Sequence, residues 1–230
     1  GVPLITKVFA LNDDFKVSRA SYDDCVKFII NELNVAADLL PPDQQAGQVG
    51  RASANACKAL KSRVLLYSAS EQNNPTHDQG KWQAAADAGE ALLNAGYNLN
   101  PDYQGTFLAS NKEIIFARYF TQANNTNFNL EQGRNGSDGW GAHNPTQNLV
   151  NAYEMKATGE LPYIEQTDGS LLLNPASGYD LNKPYDGRDP RFDASILHDG
   201  SIWAGRETES YHGGKDSPEG NQGWNSSLTS

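Results

Sequence analysis

Residues 50–99, GRASANACKALKSRVLLYSASEQNNPTHDQGKWQAAADAGEALLNAGYNL, decide the fold that this sequence predicts. Ala56, Leu60, Val64 and Tyr67 recur there at steps of three and four residues, which is the spacing of one helical face. After a polar loop the same spacing returns in a second set of apolar and small residues: Trp82, Ala85, Ala86, Gly89, Leu92 and Leu93. The stretch therefore predicts two amphipathic helices joined by a loop.

Small residues on the two helical faces indicate how the helices pack. Alanine and glycine at contact positions allow two helix backbones to approach closely, and we expect Tyr67 and Trp82 to fill the space at the ends. Gly96 follows Ala95 at a point where a left-handed residue is expected to end a helix. This arrangement, with Trp82 at its start and Gly96-Tyr97 at its end, is close to the pattern of tetratricopeptide helix pairs.

A further helix is predicted over residues 18–40, ahead of the quoted stretch. Ser21 suits the N-cap, and Pro41-Pro42 ends the helix because proline cannot continue the backbone hydrogen-bond ladder. The apolar stripe of this helix comprises Tyr22, Val26, Ile29, Leu33, Ala36 or Ala37, and Leu40. The predicted fold class is accordingly mainly α, with tetratricopeptide-like helical hairpins.

The sequence pattern changes after Leu99. Glu113–Phe120, EIIFARYF, is predicted to be a strand because β-branched and aromatic residues dominate it. Thr121–Asn144 is rich in Asn, Gly, Gln and Ser, which is typical of a loop that is either functional or disordered. Pro145 suits the first turn of a short helix over Thr146–Met155.

From Lys156 onward the sequence predicts loops and short strands, within LPYIEQ, SLLLNP and FDASILHDGSIWAG. Ser217–Ser230 is polar and predicts no packing. Together these patterns predict one domain over residues 1–230. Residues 18–99 would form its helical repeat part, and residues 100–230 a loop-rich part that carries the ligand surface.

Composition argues against several classes of partner. The chain has 230 residues, a net charge of −10 and a pI near 4.8, whereas nucleic acid or anionic lipid is bound by clustered Lys and Arg. No apolar run approaches the roughly 20 residues that span a bilayer. Cys25 and Cys57 would be offset by about 15 Å along paired helices, so we expect two buried free thiols.

Catalytic and metal-binding sequence patterns are missing. The sequence contains no nucleophile elbow, phosphate-binding loop or zinc-binding helix, so no cofactor and no metal is expected. Neither Asn135–Asp138 nor Asp186–Asp189 matches the spaced oxygen ligands of a calcium loop. The acids near aromatic residues are expected to be solvated surface carboxylates: Glu154, Glu160, Glu165 and Asp168.

Three tryptophans in loop segments carry the strongest functional signal. Trp140, Trp203 and Trp224 fall in Gly- and Asn-rich stretches, where an indole loses apolar burial unless it packs inward or meets a ligand. Sugar rings present flat C–H faces that stack on such side chains, while Asn, Gln and Arg satisfy their hydroxyls. The pattern is compatible with carbohydrate binding. The alternative is that each indole packs its own loop against the core.

The order of motifs along the chain resembles the SusD/RagB family. The motifs include GRAS, ALKSRVLLY, NKEIIFARY, PTQNLVNAYEM and PYDGRDPRFDASILHDG, and the resemblance extends over Ser18–Gly205. It implies a tetratricopeptide-like scaffold packed against loops, which binds oligosaccharides or other large nutrients without cleaving them. It also implies a surface lipoprotein of the Bacteroidetes outer membrane that acts as a lid on a SusC-like TonB-dependent transporter.

The resemblance leaves the ligand contacts open, because they vary with substrate across the family. Our expected ligand-binding residues therefore follow from loop position and chemistry: Trp140 and Trp203 first, then Tyr119, Asn144 and Trp224. The chain is about half the usual family length, and we expect the lipid anchor, the only membrane attachment implied, to lie outside it.

The RDPRF segment is expected to serve the fold instead. Arg188 or Arg191 would pair with Asp189 or Asp193 and stabilise a turn.

Two other functions remain open at this point. The chain could be a tetratricopeptide-type protein-interaction module without direct glycan binding, its main ligand being the transporter or a peptide. It could also be a glycoside hydrolase, which needs two carboxylates about 5–9 Å apart. The loop tryptophans are what favour glycan capture over the first alternative.

Overall fold

The structure, a computed structural model, describes most of the chain: residues 1–44, 47–121, 123–137, 139–141, 143–217 and 220. The chain forms two compact units. Unit 1 comprises Gly1–Pro101 and Ala109–Tyr119, and unit 2 comprises Asp102–Leu108 and Phe120–Ser230. The predicted division of a single domain at residue 99 stays a prediction.

Unit 1 is built on three successive helices. α1 is Tyr22–Leu39, α2 is Ala54–Ala69 and α3 is Gln79–Glu90, with a one-turn 3-10 helix at Glu71–Asn73. α2 packs against both α1 and α3. This arrangement confirms the predicted fold class, which is mainly α with tetratricopeptide-like hairpins.

Serine side chains define where the first two helices begin. Ser21 Oγ accepts a hydrogen bond from the Asp24 N–H, as predicted, and Ser53 Oγ accepts one from the Ala56 N–H. Each bond satisfies a first-turn N–H group that has no partner within its own helix. Local polar residues thus set the helix boundaries.

The Pro41-Pro42 pair ends α1 and also anchors the start of α2. The Pro41 carbonyl accepts from the Ala54 N–H at 2.9 Å, and the Pro42 carbonyl accepts from the Asn55 N–H at 3.1 Å. Proline lacks a donor for the α1 ladder, but its carbonyl still accepts. The residues that stop one helix therefore satisfy the first turn of the next.

α2 and α3 meet through small side chains. Ala69 and Ala85 are buried, and a Cβ added to Gly89 would lie 3.4 Å from Ser62 Oγ on α2. The close helix approach predicted from alanine and glycine is therefore present.

Tyr67 and Trp82 do not fill the ends of this contact, so that prediction is wrong. Their exposed fractions are 61% and 43%. The small residues already close the contact between the helices, which leaves both rings toward solvent.

The end of α3 also differs from the prediction. The helix ends at Glu90 rather than continuing to Ala95, and a run of turns follows, in which the Leu92 N–H bonds the Gly89 carbonyl three residues earlier. Gly96 has the predicted left-handed backbone, with φ of +87°, but it lies in these turns and not directly at the helix end.

The segment before α1 packs against that helix. The Ala20 N–H donates to the Val2 carbonyl, and Cys25 Sγ lies 3.8 Å from the same oxygen. Cys25 and Cys57 are both buried free thiols, which confirms the prediction.

Glu113–Phe120 is not a strand, contrary to the prediction. A β-rich composition favours a strand only where a neighbouring strand can pair with it, and unit 1 supplies none among its described residues. Instead, the Glu113 carboxylate accepts from the Asn100 N–H at 2.7 Å, while Ile115 and Phe116 line an apolar cavity.

Unit 2 contains short elements connected by long loops. Its helices are α4 (Gly105–Leu108), α5 (Phe128–Gln132), α6 (Gln147–Asn151) and α7 (Pro190–Ser195). A 3-10 turn, Asn135–Ser137, lies between α5 and α6. The helix predicted over Thr146–Met155 is shorter than expected, with Thr146 as its N-cap.

Two antiparallel hairpins complete unit 2. β1 (Tyr163–Glu165) pairs with β2 (Leu171–Leu173), and β3 (Ile202–Trp203) pairs with β4 (Arg206–Glu207). Strands in LPYIEQ and SLLLNP are therefore confirmed. The third predicted stretch begins instead with α7, which Asp189 caps by accepting from the Arg191 N–H.

Arg188 organises the loops around α7. Its Nη2 donates to the Val150 carbonyl at 2.6 Å and to the Tyr153 carbonyl at 2.9 Å, and its Nη1 donates to the Pro184 carbonyl at 2.9 Å. The guanidinium centre lies 4.9 Å from the centre of the Phe192 ring, which is fully buried. Arg188 thus binds backbone carbonyls and not the carboxylate predicted for it.

The more exposed arginine of this segment, Arg191, forms the predicted ion pair with Asp189. Arg191 Nη2 lies 2.7 Å from Asp189 Oδ2. Hydrogen bonds from Arg191 lower the pKa of Asp189 to about 2. The RDPRF segment accordingly fixes local loop structure in unit 2.

Gly89→Leu tests the α2–α3 contact. We expect the larger side chain to overpack against Ser62 and to lower the free energy of unfolding by about 1–3 kcal/mol, less roughly 0.8 kcal/mol regained in helix propensity. Urea denaturation measures the change. Ala84→Leu, on the exposed face of α3, is the matched control and should change stability by less than about 0.5 kcal/mol. Equal effects in the two variants would contradict the packing described here.

Candidate functional site

A groove in unit 2 has a tryptophan in its wall. We call it the Trp203 groove; it encloses about 500 Å³ between the end of α7 and strand β3. Its polar lining includes Gln104, Asp193, Ser195, His198 and Ser201. A flat apolar ring beside several hydrogen-bonding groups is the combination expected of a sugar-binding surface.

The β3–β4 hairpin places Trp203 at the edge of the groove. Ala204 and Gly205 form its two-residue loop with φ of +50° and +80°. Positive φ at both central positions is typical of a type I′ turn, whose twist matches that of the flanking strands. Trp203 is therefore presented from a short, geometrically defined hairpin.

Arg134 contacts Trp203 in two ways. Its Nη2 donates to the Trp203 carbonyl at 2.6 Å, and its guanidinium carbon lies 5.2 Å from the centre of the indole ring. The second distance is within the range of a cation–π interaction. Both the backbone and the ring of Trp203 are thus held by one buried side chain.

A second, smaller cavity adjoins the Trp203 groove. We call it the Arg134 cavity; it encloses about 160 Å³, and Ser195 and Leu197 line both spaces. Its other polar lining groups include Arg134, His143, Asn144, Thr208, Ser210 and Asp216. The His143 ring also hydrogen-bonds Gln132 Oε1.

A buried ion cluster forms one side of the Arg134 cavity. The side chains of Arg134 and Asp216 are 5% and 2% exposed, and Arg134 Nη1 lies 3.5 Å from Asp216 Oδ2. Arg206 donates to both Asp216 oxygens, at 2.6 and 2.8 Å. Two guanidinium groups therefore share one carboxylate.

Burial and charge act in opposite directions on this cluster. Burial alone would raise the pKa of Asp216, but hydrogen bonds from Arg206 and the Glu209 N–H, together with the charge of Arg134, hold that pKa below its usual value. Burial lowers the pKa of Arg134, and the Asp216 charge opposes that shift. The cluster is thus ionised at neutral pH.

The structure places Trp203 and Asn144 at adjoining spaces. Trp203 lines the groove, while Asn144 is exposed and lines the Arg134 cavity. Trp140 is 49% exposed, and its backbone N–H donates to the Leu130 carbonyl at 2.7 Å. The Trp140 indole lines neither space, although the next residue, Gly141, lines the Arg134 cavity.

Two predicted site residues remain, Tyr119 and Trp224. Tyr119 belongs to unit 1, where its ring lies beside Gly50. Trp224 lies outside the described residues.

Sequence reasoning missed Arg134 and Asp216. Arg134 is the one arginine or lysine between Thr121 and Asn144, and that isolation in a polar loop was an available signal. Asp216 offered no local signal, because its partners are distant in sequence. The sequence predicted no packing for residues 217–230, and this is wrong for Ser217. That residue is fully buried and donates to the Gly214 carbonyl. Residues 221–230 lie outside the described range.

The described ranges offer no cluster of side chains for a metal ion. They contain no group of three or more His, Cys, Asp or Glu side chains that could hold a metal ion. The four carboxylates considered above are all exposed, as expected for surface acids: Glu154, Glu160, Glu165 and Asp168. The groove and cavity offer hydrogen bonds and ring contacts, which is the chemistry of binding.

None of the helices that the structure describes is long and apolar enough to cross a membrane.

Helical hairpins in unit 1 and a polar groove with a tryptophan in its wall in unit 2 define a mainly helical, tetratricopeptide-like class of protein. The chain belongs to the SusD family, which its sequence matches over residues 112–229. A SusD-like protein of Bacteroides ovatus is 27% identical over 150 residues, which are 59% of this chain and 27% of that protein. The sequence resemblance to SusD/RagB proteins is thereby confirmed.

Two solved structures from Bacteroides fragilis share the fold. A SusD-like protein has a TM-score of 0.69 and 29% identity, with 94% of this chain and 44% of that chain covered. A SusD-like carbohydrate binding protein has a TM-score of 0.71 and 27% identity, with 90% and 37% covered. The chain therefore spans less than half the length of these relatives.

Asp216→Asn tests the ion cluster. We expect a loss of about 3–5 kcal/mol of unfolding free energy at pH 7, because two guanidinium groups lose their shared counter-charge. The folded-state pKa of Asp216 is depressed, so its contribution is complete above the unfolded pKa of about 3.9 and is lost as pH falls through the folded value. The difference in unfolding free energy between the unmodified chain and the Asp216→Asn variant should therefore become smaller below about pH 4.

Urea denaturation of both proteins at several pH values measures this difference in unfolding free energy. Asp193→Asn is the matched control, because that carboxylate is 73% exposed, and it should cost less than about 1 kcal/mol. Two results would show that Asp216 is not the buried anion of the cluster. One is a loss of unfolding free energy in Asp216→Asn that does not change with pH, and the other is an equal loss in Asp193→Asn.

Proposed function

We propose that this chain binds an oligosaccharide at the Trp203 groove without cleaving it. The observation that carries the proposal is the Trp203 indole in the wall of a polar groove of about 500 Å³. A sugar ring would stack its C–H face on the indole, and its hydroxyls would bond the polar lining. Gln104, Asp193 and Ser201 supply both donors and acceptors for that purpose.

Rigid support strengthens this assignment. A binding group on a loop is effective only where other residues fix its position. Arg134 holds Trp203 through a carbonyl hydrogen bond and a ring contact, and the β3–β4 hairpin fixes its backbone. The indole is thus positioned before a ligand arrives, which lowers the entropy cost of binding.

Membership of the SusD family supports the wider setting that we propose. The complete protein would be a surface lipoprotein of the outer membrane that passes its glycan to a SusC-like TonB-dependent transporter. One of the relatives described above is a carbohydrate binding protein. Trp140 and Asn144 would make further ligand contacts in unit 2, and Tyr119 and Trp224 stay proposals of lower rank.

A second candidate function rests on unit 1. An apolar cavity of about 630 Å³ lies there, lined by Leu33, Ala56, Leu60, Ile115 and Phe116 among others. Apolar grooves between helices are common peptide-binding surfaces. This observation favours a tetratricopeptide-type protein-interaction module, in which the tryptophan groove would have no ligand.

Trp203→Ala distinguishes the two candidates. We expect the variant to bind polysaccharide at least about fivefold more weakly in affinity gel electrophoresis, because stacking of a nucleic-acid base on an aromatic ring, a comparable contact, contributes about 1–3 kcal/mol. The soluble polysaccharides of the test panel should include neutral and acidic backbones. Trp82→Ala is the matched control, since Trp82 is also partly exposed but belongs to unit 1.

Unchanged affinity in Trp203→Ala would reject the groove as the glycan site. Equal losses in both tryptophan variants would point to general destabilisation. Release of reducing ends from the same panel by the purified chain would favour the glycoside hydrolase alternative over a binding protein.

A further inference from the structure

We infer that the Arg134 cavity binds the carboxylate of an acidic sugar residue, such as a uronic acid. This inference rests on the proposed glycan-binding function and names the class of sugar that unit 2 selects. It follows from the donors and acceptors that line the cavity.

Asp216 cannot serve as an acceptor for sugar hydroxyls. Its Oδ1 accepts from the Gly136 N–H at 3.1 Å and from Arg206 Nη2 at 2.6 Å. Its Oδ2 accepts from Arg206 Nη1 at 2.8 Å and from the Glu209 N–H at 2.9 Å. A carboxylate has about four lone-pair positions, and these bonds use them. The negative group in the cavity wall is therefore saturated.

Arg134 keeps donor capacity. A guanidinium has five N–H groups. Hydrogen bonds to Ser137 Oγ, Thr208 Oγ1 and the Trp203 carbonyl use three, and the contact with Asp216 at 3.5 Å engages a fourth. Over the ranges that the structure describes, one N–H on Nη2 remains for a ligand. A carboxylate is one of the partners that a guanidinium binds strongly, through charge-assisted hydrogen bonds.

Among the residues that the structure describes, the charge balance at the cavity wall also favours an anion. Arg134 and Arg206 share the single negative charge of Asp216. Glu209 adds no net charge, because Lys215 lies 3.6 Å from it. Asp199 directs its Oδ1 to the N–H and hydroxyl of Ser210 and does not itself line the cavity.

The size of the cavity suits one small group. Its volume of about 160 Å³ equals the liquid volume of roughly five water molecules, well below the space of a drug-sized pocket. It would hold the carboxyl end of one sugar residue. The net charge of −10 would oppose a polyanion at long range, but the screening length of about 8 Å at 0.15 M salt limits that repulsion.

The test compares acidic polysaccharides with their own neutral forms. Polygalacturonate, alginate and hyaluronate are each used as such and after carboxyl reduction, which converts every carboxylate into a primary alcohol. Affinity gel electrophoresis at 0.15 M salt with the 230-residue chain measures binding. We expect at least one native polymer to bind at least tenfold more tightly than its reduced form.

Asn144→Asp supplies a variant that spares the fold, because Asn144 is exposed and the change is isosteric. We expect the new charge in the cavity lining to weaken binding of the acidic polymer at least fivefold more than it weakens binding of the carboxyl-reduced form of the same polymer. Asn148→Asp is the matched control: it makes the same charge change at an exposed position outside the cavity lining, and should have no effect.

Three results would overturn the inference. They are equal binding of native and reduced polymers, equal effects of the two Asp variants, and binding of neutral polymers only. If neutral polymers bind in a Trp203-dependent manner, the proposed glycan-binding function stands and only the preference for acidic sugars falls. If no polymer binds, both proposals fall.

Discussion

A buried guanidinium must keep its hydrogen bonds, and this requirement at Arg134 is the constraint on which the site depends. Unit 2 has few ladder hydrogen bonds, since its strands are two or three residues long. Arg134 ties loops that are far apart in sequence, through Thr208, the Trp203 carbonyl and Asp216. Leaving such a charge without partners would cost several kcal/mol, so the loops have one favourable arrangement.

The same principle operates a second time, at Arg188. That side chain donates to three loop carbonyls and packs its planar group over Phe192. Arginine suits this role because its rigid fork meets several oxygens and its faces stack on rings. In unit 2, hydrogen bonds from arginine side chains therefore connect the loops, as ladder hydrogen bonds connect the strands of a larger sheet. The proposed binding surface lies on loops whose geometry these bonds define.

The sequence predicted well what depends on local pattern. The helices of unit 1 and their Ser21 and Pro41-Pro42 boundaries follow from apolar spacing and capping chemistry. The strand expected over Glu113–Phe120 was wrong because β propensity is realised only beside a partner strand. The sequence did not predict the pairing of Arg134 with Asp216, because the two residues are distant in sequence. Trp203 was proposed from sequence because a tryptophan in a Gly-rich segment is unusual wherever it lies, and its binding role stays a prediction.

Arg134 holds the Trp203 ring in the groove wall, and a double-mutant cycle on unfolding free energy is the sharpest test of that contact. The variants are Arg134→Met, Trp203→Ala and their combination; alanine keeps the carbonyl that Arg134 bonds, so the cycle isolates the ring contact. We expect a coupling energy of about 0.5–2 kcal/mol. Costs that add to within about 0.3 kcal/mol would contradict it.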